Sequence, residues 1–132
     1  MWGSTNAKGV PESETVAQAA SDGWYNGELK LFPAGDFGKD TPDMSNFSKW
    51  GHFSQLVWKG TKQVGCATHF CAAGTLSSLD SWYTVCNYFP AGMCFLEMIY
   101  SCSWANPRST GNMGGAYGAN VAPSLGQATV SA

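Results

Sequence analysis

Between Gly51 and Ala67 the chain crowds chemistry and packing into one short run: Gly51-His52-Phe53-Ser54-Gln55-Leu56-Val57-Trp58-Lys59-Gly60-Thr61, then Val64-Gly65-Cys66-Ala67. Phe53, Leu56 and Val57 fall at the i, i+3, i+4 spacing of an amphipathic helix, so a short helix is expected here with Trp58 at its exit. His52 then sits at the helix start, one position off the buried stripe, where its polar edge can face a cleft while its neighbours anchor it. Beyond this helix, Gln63 to Phe70 reads as a strand, with Val64, Cys66 and Thr68 alternating against Gln63, Ala67 and His69. Trp82 to Phe89, rich in aromatic and β-branched residues and ended by Pro90-Ala91-Gly92, reads as a second strand. The Gly/Ser/Asp connection between them predicts an antiparallel pair. His69 reads as an exposed strand histidine.

A length of 132 residues allows one domain with a buried core. Charged residues are only 12% of the chain, while six Trp, five Tyr and seven Phe demand aromatic packing. The net charge of −2 gives no electrostatic footprint for nucleic acid, and no basic run suits an anionic membrane surface. No apolar run approaches the roughly 20 residues that cross a bilayer, so the chain is not expected to be transmembrane. Five cysteines favour an oxidising compartment, and the odd count leaves at least one unpaired. The start, Met1-Trp2-Gly3-Ser4-Thr5, has neither a basic nor an apolar signal region. Met1 therefore reads as an internal methionine of a longer, secreted protein.

Upstream of the central run, Met1 to Val10 reads as loop. Pro11, Ser13 and Glu14 form a helix-start cluster, with serine as a possible cap and the carboxylate favouring the positive helix end. A helix of about four turns is expected to bury Val16, Ala19, Ala20, Gly23, Trp24 and Gly27. Glu28, four residues after Trp24, can point where Trp24 points, because i+3 and i+4 share the face of residue i. Leu29 to Lys49 is a long connection with Phe32, Phe37 and Phe47. Gly111 to Gly126 reads as Gly-rich extended chain, followed by a polar tail over 127–132.

The central run resembles the first signature of the CAP superfamily (cysteine-rich secretory proteins, antigen 5 and pathogenesis-related class 1 proteins). Tyr83-Thr84-Val85-Cys86-Asn87-Tyr88-Phe89-Pro90-Ala91-Gly92 resembles the second. The phrasing is closest to fungal secreted members. The resemblance implies an α+β fold, an α-β-α sandwich with a small antiparallel sheet, spanning residues 1–126 and incomplete at its N-terminus. Trp24-Tyr25-Asn26-Gly27-Glu28 is similar to the family's Trp-x-x-Glu, one residue longer. After Gly92 the family pattern breaks and resumes at Asn112-Met113-Gly114-Gly115. Residues 93–111, apolar and carrying Cys94 and Cys102, therefore read as a retained intron or an error in the gene model, the alternative being a genuine insertion that forms an extra hairpin or helix turn. Setting them aside leaves Cys66, Cys71 and Cys86. The favoured bridge is Cys71 to Cys86, with Cys66 pairing instead with Cys86 or with an upstream residue as alternatives.

In the family two histidines and two glutamates line a cleft that can hold zinc. Glu28 and His52 match two of these positions, and the others belong upstream. One imidazole and one carboxylate fall short of a zinc site, so no cofactor is expected to be required of this chain, and zinc belongs to a full-length form. Gln55 and Asn87 can support the cleft by hydrogen bonding, or serve as buried amides. Phe32 and Phe37 echo the spaced aromatics of a lipid-capturing loop. The expected function is a monomeric, secreted, extracellular, non-enzymatic binder of sterol or another small lipid. The alternatives are a metal-dependent hydrolase using the His/Glu cleft, or a truncated product without function.

Overall fold

The computed structural model describes residues 9–90, 116–123 and 125; the run 93–111 with Cys94 and Cys102, the start at Met1 and the tail 127–132 lie outside the described residues. The first helix, α1 (Glu12–Gln18), begins after Pro11, whose extended backbone makes it the N-cap. Ser13 lies inside the helix, and no side chain caps its start. Glu12 and Glu14 place carboxylates against the positive end of the helix instead. The Pro11 carbonyl accepts from both the amide (3.1 Å) and the hydroxyl (3.2 Å) of Thr15. α1 runs on directly into a π-helical stretch, Ala19–Asn26. This widened stretch changes which residues face inward: Thr15, Ala19 and Trp24 are buried, Val16 is only half-buried, and Gly27 is exposed.

The long connection is more regular than its composition suggests. It holds three short 3₁₀ turns, Leu29–Leu31, Ala34–Asp36 and Met44–Lys49. Asp36 braces it by pairing with Lys39 and accepting the Asp43 amide at 2.8 Å. The Lys39 hydrogen bond and then that amide hold the Asp36 carboxyl below the usual carboxylate range. Asp43 caps the last turn through the Ser45 amide at 2.9 Å. Phe32 is 3% exposed and belongs to the core, with Phe37 packed on it at 4.6 Å. Phe32 is thus a packing residue rather than a ring presented by the loop.

The expected short helix is α2 (Gly51–Leu56), and the expected strands are β1 (Gln63–Cys71) and β2 (Ser81–Phe89). The strands pair antiparallel in one register from Gln63 opposite Phe89 to Cys71 opposite Ser81. Asp80 shapes the connection by accepting the Ala73 amide at 2.8 Å. Thr68 and Thr84 face each other across the pair with their hydroxyls 2.9 Å apart, and Thr84 is fully buried. A shared hydroxyl bond is what permits two polar side chains on a buried sheet face. α1 lies against both strands.

This register overturns the favoured cysteine pairing. Cys66 and Cys86 are direct cross-strand partners with Cα atoms 4.1 Å apart, and they form the disulfide. Cys71 stands opposite Ser81, out of reach of Cys86 along the strand, and is a buried free thiol.

The core is aromatic and holds Phe32, Trp50, Phe53, Trp58, Tyr117 and Val121. Trp50 is its hub, meeting Phe32 at 5.0 Å, Phe47 at 5.1 Å and Tyr117 at 5.8 Å, all edge to face. Each such pair adds about 0.5–1.5 kcal/mol beyond simple burial, because the positive ring edge meets the negative ring face. Tyr117 comes from α3 (Tyr117–Asn120), a helical turn where extended chain was expected. Its neighbour Gly118 explains how α3 approaches so closely: a Cβ there would lie 2.6 Å from the Gly38 carbonyl oxygen and 2.8 Å from Asp40 Oδ1. The Tyr117 amide donates to the Asp40 carbonyl at 3.3 Å.

Candidate functional site

Glu28 and His52, which are 24 residues apart, meet with Oε1 2.7 Å from Nδ1. An ionised carboxylate only accepts, so Nδ1 carries the proton and donates. The second carboxylate oxygen accepts the Phe53 amide at 3.0 Å. The opposite constraint on the imidazole comes from Trp24, whose indole stacks on it with centroids 5.6 Å apart and planes 11° from parallel. The ring is therefore held at its edge by Glu28 and at its face by Trp24. Glu28 is largely shielded, with a side-chain exposure of 14%, while His52 reaches solvent with 43%.

The sequence explains each part of this arrangement. α2 starts after Trp50, and indole provides no cap; no side chain at that position accepts a bond from the helix start. Glu28 fills that role from a distant segment. The extra residue between Trp24 and Glu28 is absorbed by the π-helical stretch, since a π turn holds about one residue more than an α turn. The Phe53 amide and the Trp24 stack were not foreseen. The first was signalled by the cap-poor Trp50-Gly51 start, and the second by Trp24 and Glu28 sharing a helix face.

Gln55 and Asn87 are not gathered to this pair. Gln55, buried, donates to Thr61 Oγ1 at 3.3 Å, and that hydroxyl donates to the Pro90 carbonyl at 3.4 Å. It ties the turn after α2 to the end of β2. Asn87 is exposed on β2 opposite Gly65. His69 is likewise exposed, opposite Tyr83.

Zinc does not fit the residues present. Both Glu28 oxygens are engaged by protein donors, so the carboxylate orients the imidazole rather than presenting a ligand atom. A single imidazole is short of the three protein ligands of an open zinc site. Among the described residues no group of three or more His, Cys, Asp or Glu stands close enough to hold a metal ion. Among them, too, no helix is long and apolar enough to cross a membrane.

A carboxylate-held imidazole at the start of a short helix, followed by a disulfide-tied hairpin, defines a small α+β module. The chain belongs to the cysteine-rich secretory protein (CAP) family, whose profile matches residues 1–88. It is 40% identical over 117 residues to a probable pathogenesis-related protein of Arthroderma benhamiae, covering 87% of this chain and 31% of that one. Over 94 residues it is 37% identical to venom allergen 5 of Polybia paulista, covering 66% of this chain and 44% of that protein. Fruiting body protein SC7 of Schizophyllum commune is 39% identical over 66 residues, which are 44% of this chain and 32% of the relative. The chain thus spans less than half the length of these relatives. No solved structure matches it.

Proposed function

We propose that the chain is part of a secreted, extracellular, non-enzymatic protein with the α-β-α sandwich of its family, which captures sterol or another small lipid. The observation that carries this reading is the character of the hairpin. From Gln63 to Pro90 there is no lysine or arginine, and Asp80 is the sole carboxylate. Within that sparsely charged ribbon Val64 is 58% exposed, Leu76 60%, Leu79 56%, Val85 43% and Phe89 60%. Val85 and Phe89 lie four residues apart on β2 and so share one face, with the exposed amide of Asn87 between them and Ala67, Gly65 and Gln63 of β1 opposite the three. The small Ala67 and Gly65 beside the exposed Val85 and Phe89 leave a shallow surface on which a rigid apolar molecule can lie, with Asn87 and Gln63 offering amides to a polar group at its edge. The Glu28–His52 pair, with both carboxylate oxygens committed to protein donors, supports a structural rather than a catalytic use of that pair.

Titration with a fluorescent sterol tests the reading. Saturable binding is expected, weakened about tenfold by Phe89→Asn, since losing one buried phenyl contact removes about 1.5 kcal/mol or more. His52→Ala should leave the affinity unchanged. The lipid reading fails if the chain and its longer secreted form both leave the sterol unbound, or if His52→Ala abolishes binding while Phe89→Asn does not.

A further inference from the structure

We infer that Gly27 is the positioning residue for the Glu28–His52 pair, acting through the π turn that its amide closes. The Gly27 amide donates to the Asp22 carbonyl at 3.0 Å, a bond spanning five residues rather than the four of an α-helix. That wide turn decides where Glu28 points. In a π turn residue i+4 falls about where residue i+3 falls in an α-helix, because the turn holds about one residue more. Glu28 is thereby kept beside Trp24, four residues earlier, and both reach the same imidazole: Trp24 by its face at 5.6 Å, Glu28 at Nδ1 at 2.7 Å. Closing the same segment as an α-helix would carry Glu28 round and along the axis, away from the ring that Trp24 covers.

Only glycine fits the place where this turn closes. Gly27 has an ordinary helical backbone, with φ −70 and ψ −35, so left-handed freedom is not what it supplies. It supplies the missing side chain. A Cβ at this position would lie 2.4 Å from the Gly23 carbonyl oxygen and 3.2 Å from that of Asp22. Both contacts are backbone atoms of the π turn itself and cannot rotate away. Any larger residue must therefore open the turn, and the change is transmitted to the next residue, Glu28. Gly27 is itself exposed, so its replacement leaves no cavity in the core. This role holds whatever the protein binds.

The test reads the imidazole tautomer by long-range proton–nitrogen NMR at mildly alkaline pH. The chain has two histidines, and a His69→Gln background leaves His52 alone. The native turn is expected to show His52 protonated at Nδ1. Gly27→Ala is expected to lose that preference. Gly27→Ala in a chain that also lacks Asn26 is expected to regain it, since the shortened segment can close as an α-helix and bring Glu28 back to the ring. Retention of the Nδ1 proton in Gly27→Ala overturns the proposal, as does a folded double variant that fails to regain it. If Gly27→Ala does not fold, the chain lacking Asn26 with Gly27 intact decides: Nδ1 protonation supports the proposal and its loss sinks it.

Discussion

Glu28 accepts the Phe53 amide at 3.0 Å and thereby caps a helix that begins 23 residues further along the chain. Its other oxygen holds His52, so one carboxylate serves two elements. Removing it leaves an unsatisfied amide at the start of α2 and takes from the imidazole its partner at Nδ1, while Trp24 still covers the ring face. Glu28→Ala should cost about 1–2 kcal/mol, the usual range for losing a cap. Glu28→Gln keeps a carbonyl oxygen for the Phe53 amide but lacks the charge at His52, and should cost less. Urea denaturation of the three proteins ranks them; equal stability of the alanine variant and the native chain would contradict the capping role.

Cys66 and Cys86 close a loop of 20 residues, which in the chain-entropy view stabilises the fold by about 3 kcal/mol. Cys66→Ser with Cys86→Ser should lower stability by that order, whereas Cys71→Ser should change it much less. Peptide mapping without reduction should recover the Cys66–Cys86 peptide pair. Cys71 should react with an alkylating reagent only after unfolding, because it is buried. A Cys71–Cys86 peptide in the folded protein would contradict the register of the hairpin.

Tyr117 is 1% exposed, and burial pushes its phenol up to about 12, with a Ser54 hydrogen bond partly opposing the shift. The ordinary value in an unfolded chain is about 10. The folded state thus favours the neutral phenol, and this contribution is intact below about pH 10 and lost as pH rises toward 12. Its full size is about 2–3 kcal/mol for a shift of this order. Tyr117→Phe should flatten the alkaline decline in stability between pH 10 and 12. A smaller decline should remain from Tyr88, whose phenol is also raised by burial. Denaturation midpoints that fall equally in both proteins would show that Tyr117 does not carry the effect.

The parts of this structure that were legible in the sequence are those set by local chemistry. The hairpin announced itself through alternation and a Gly/Ser/Asp connection, and α2 through the spacing of Phe53, Leu56 and Val57. The meeting of Glu28 with His52 was accessible through the likeness to a known family, but the added residue is accommodated by the π turn rather than by the α-helical i, i+4 spacing that the sequence suggested. What escaped was set by contacts between distant segments or by backbone detail. The disulfide depended on strand register, which one residue of slip would have changed, and counting cysteines cannot fix register. The π turn is encoded in backbone contacts at Gly27 that no periodicity displays. Tyr117 looked like extended chain because its helical turn is held by Asp40 and by core rings far away in sequence.

The ends of the described chain on either side of residues 93–111 are fastened to one turn. The Lys62 amide donates to the Phe89 carbonyl at 2.8 Å and the Thr61 hydroxyl to that of Pro90 at 3.4 Å. From the other side, the Lys59 amide donates to the Asn120 carbonyl at 3.2 Å and the Gly60 amide to Asn120 Oδ1 at 2.9 Å. Asn120 also donates through Nδ2 to the Ala116 carbonyl at 2.8 Å, which keeps Ala116 beside the same turn. Joining Gly92 directly to Asn112 leaves a link from Pro90 to Ala116 that can reach about 23–25 Å when extended. Four adjacent residues such as Lys59 to Lys62 span no more than about 11 Å between their outer Cα atoms. The shorter chain can therefore close without pulling either end from its partners. Removal of 93–111 should leave the thermal midpoint unchanged or raise it, because a shorter connection loses less entropy on closure. Asn120→Ala should destabilise the native and shortened chains alike, by about 1 kcal/mol, because the exposed Gly60 amide and the part-buried Ala116 carbonyl each lose a hydrogen bond while the Lys59 bond to the backbone carbonyl survives. A shortened chain that fails to fold, or one indifferent to Asn120→Ala while the native chain is not, would show that 93–111 is an integral part of the domain.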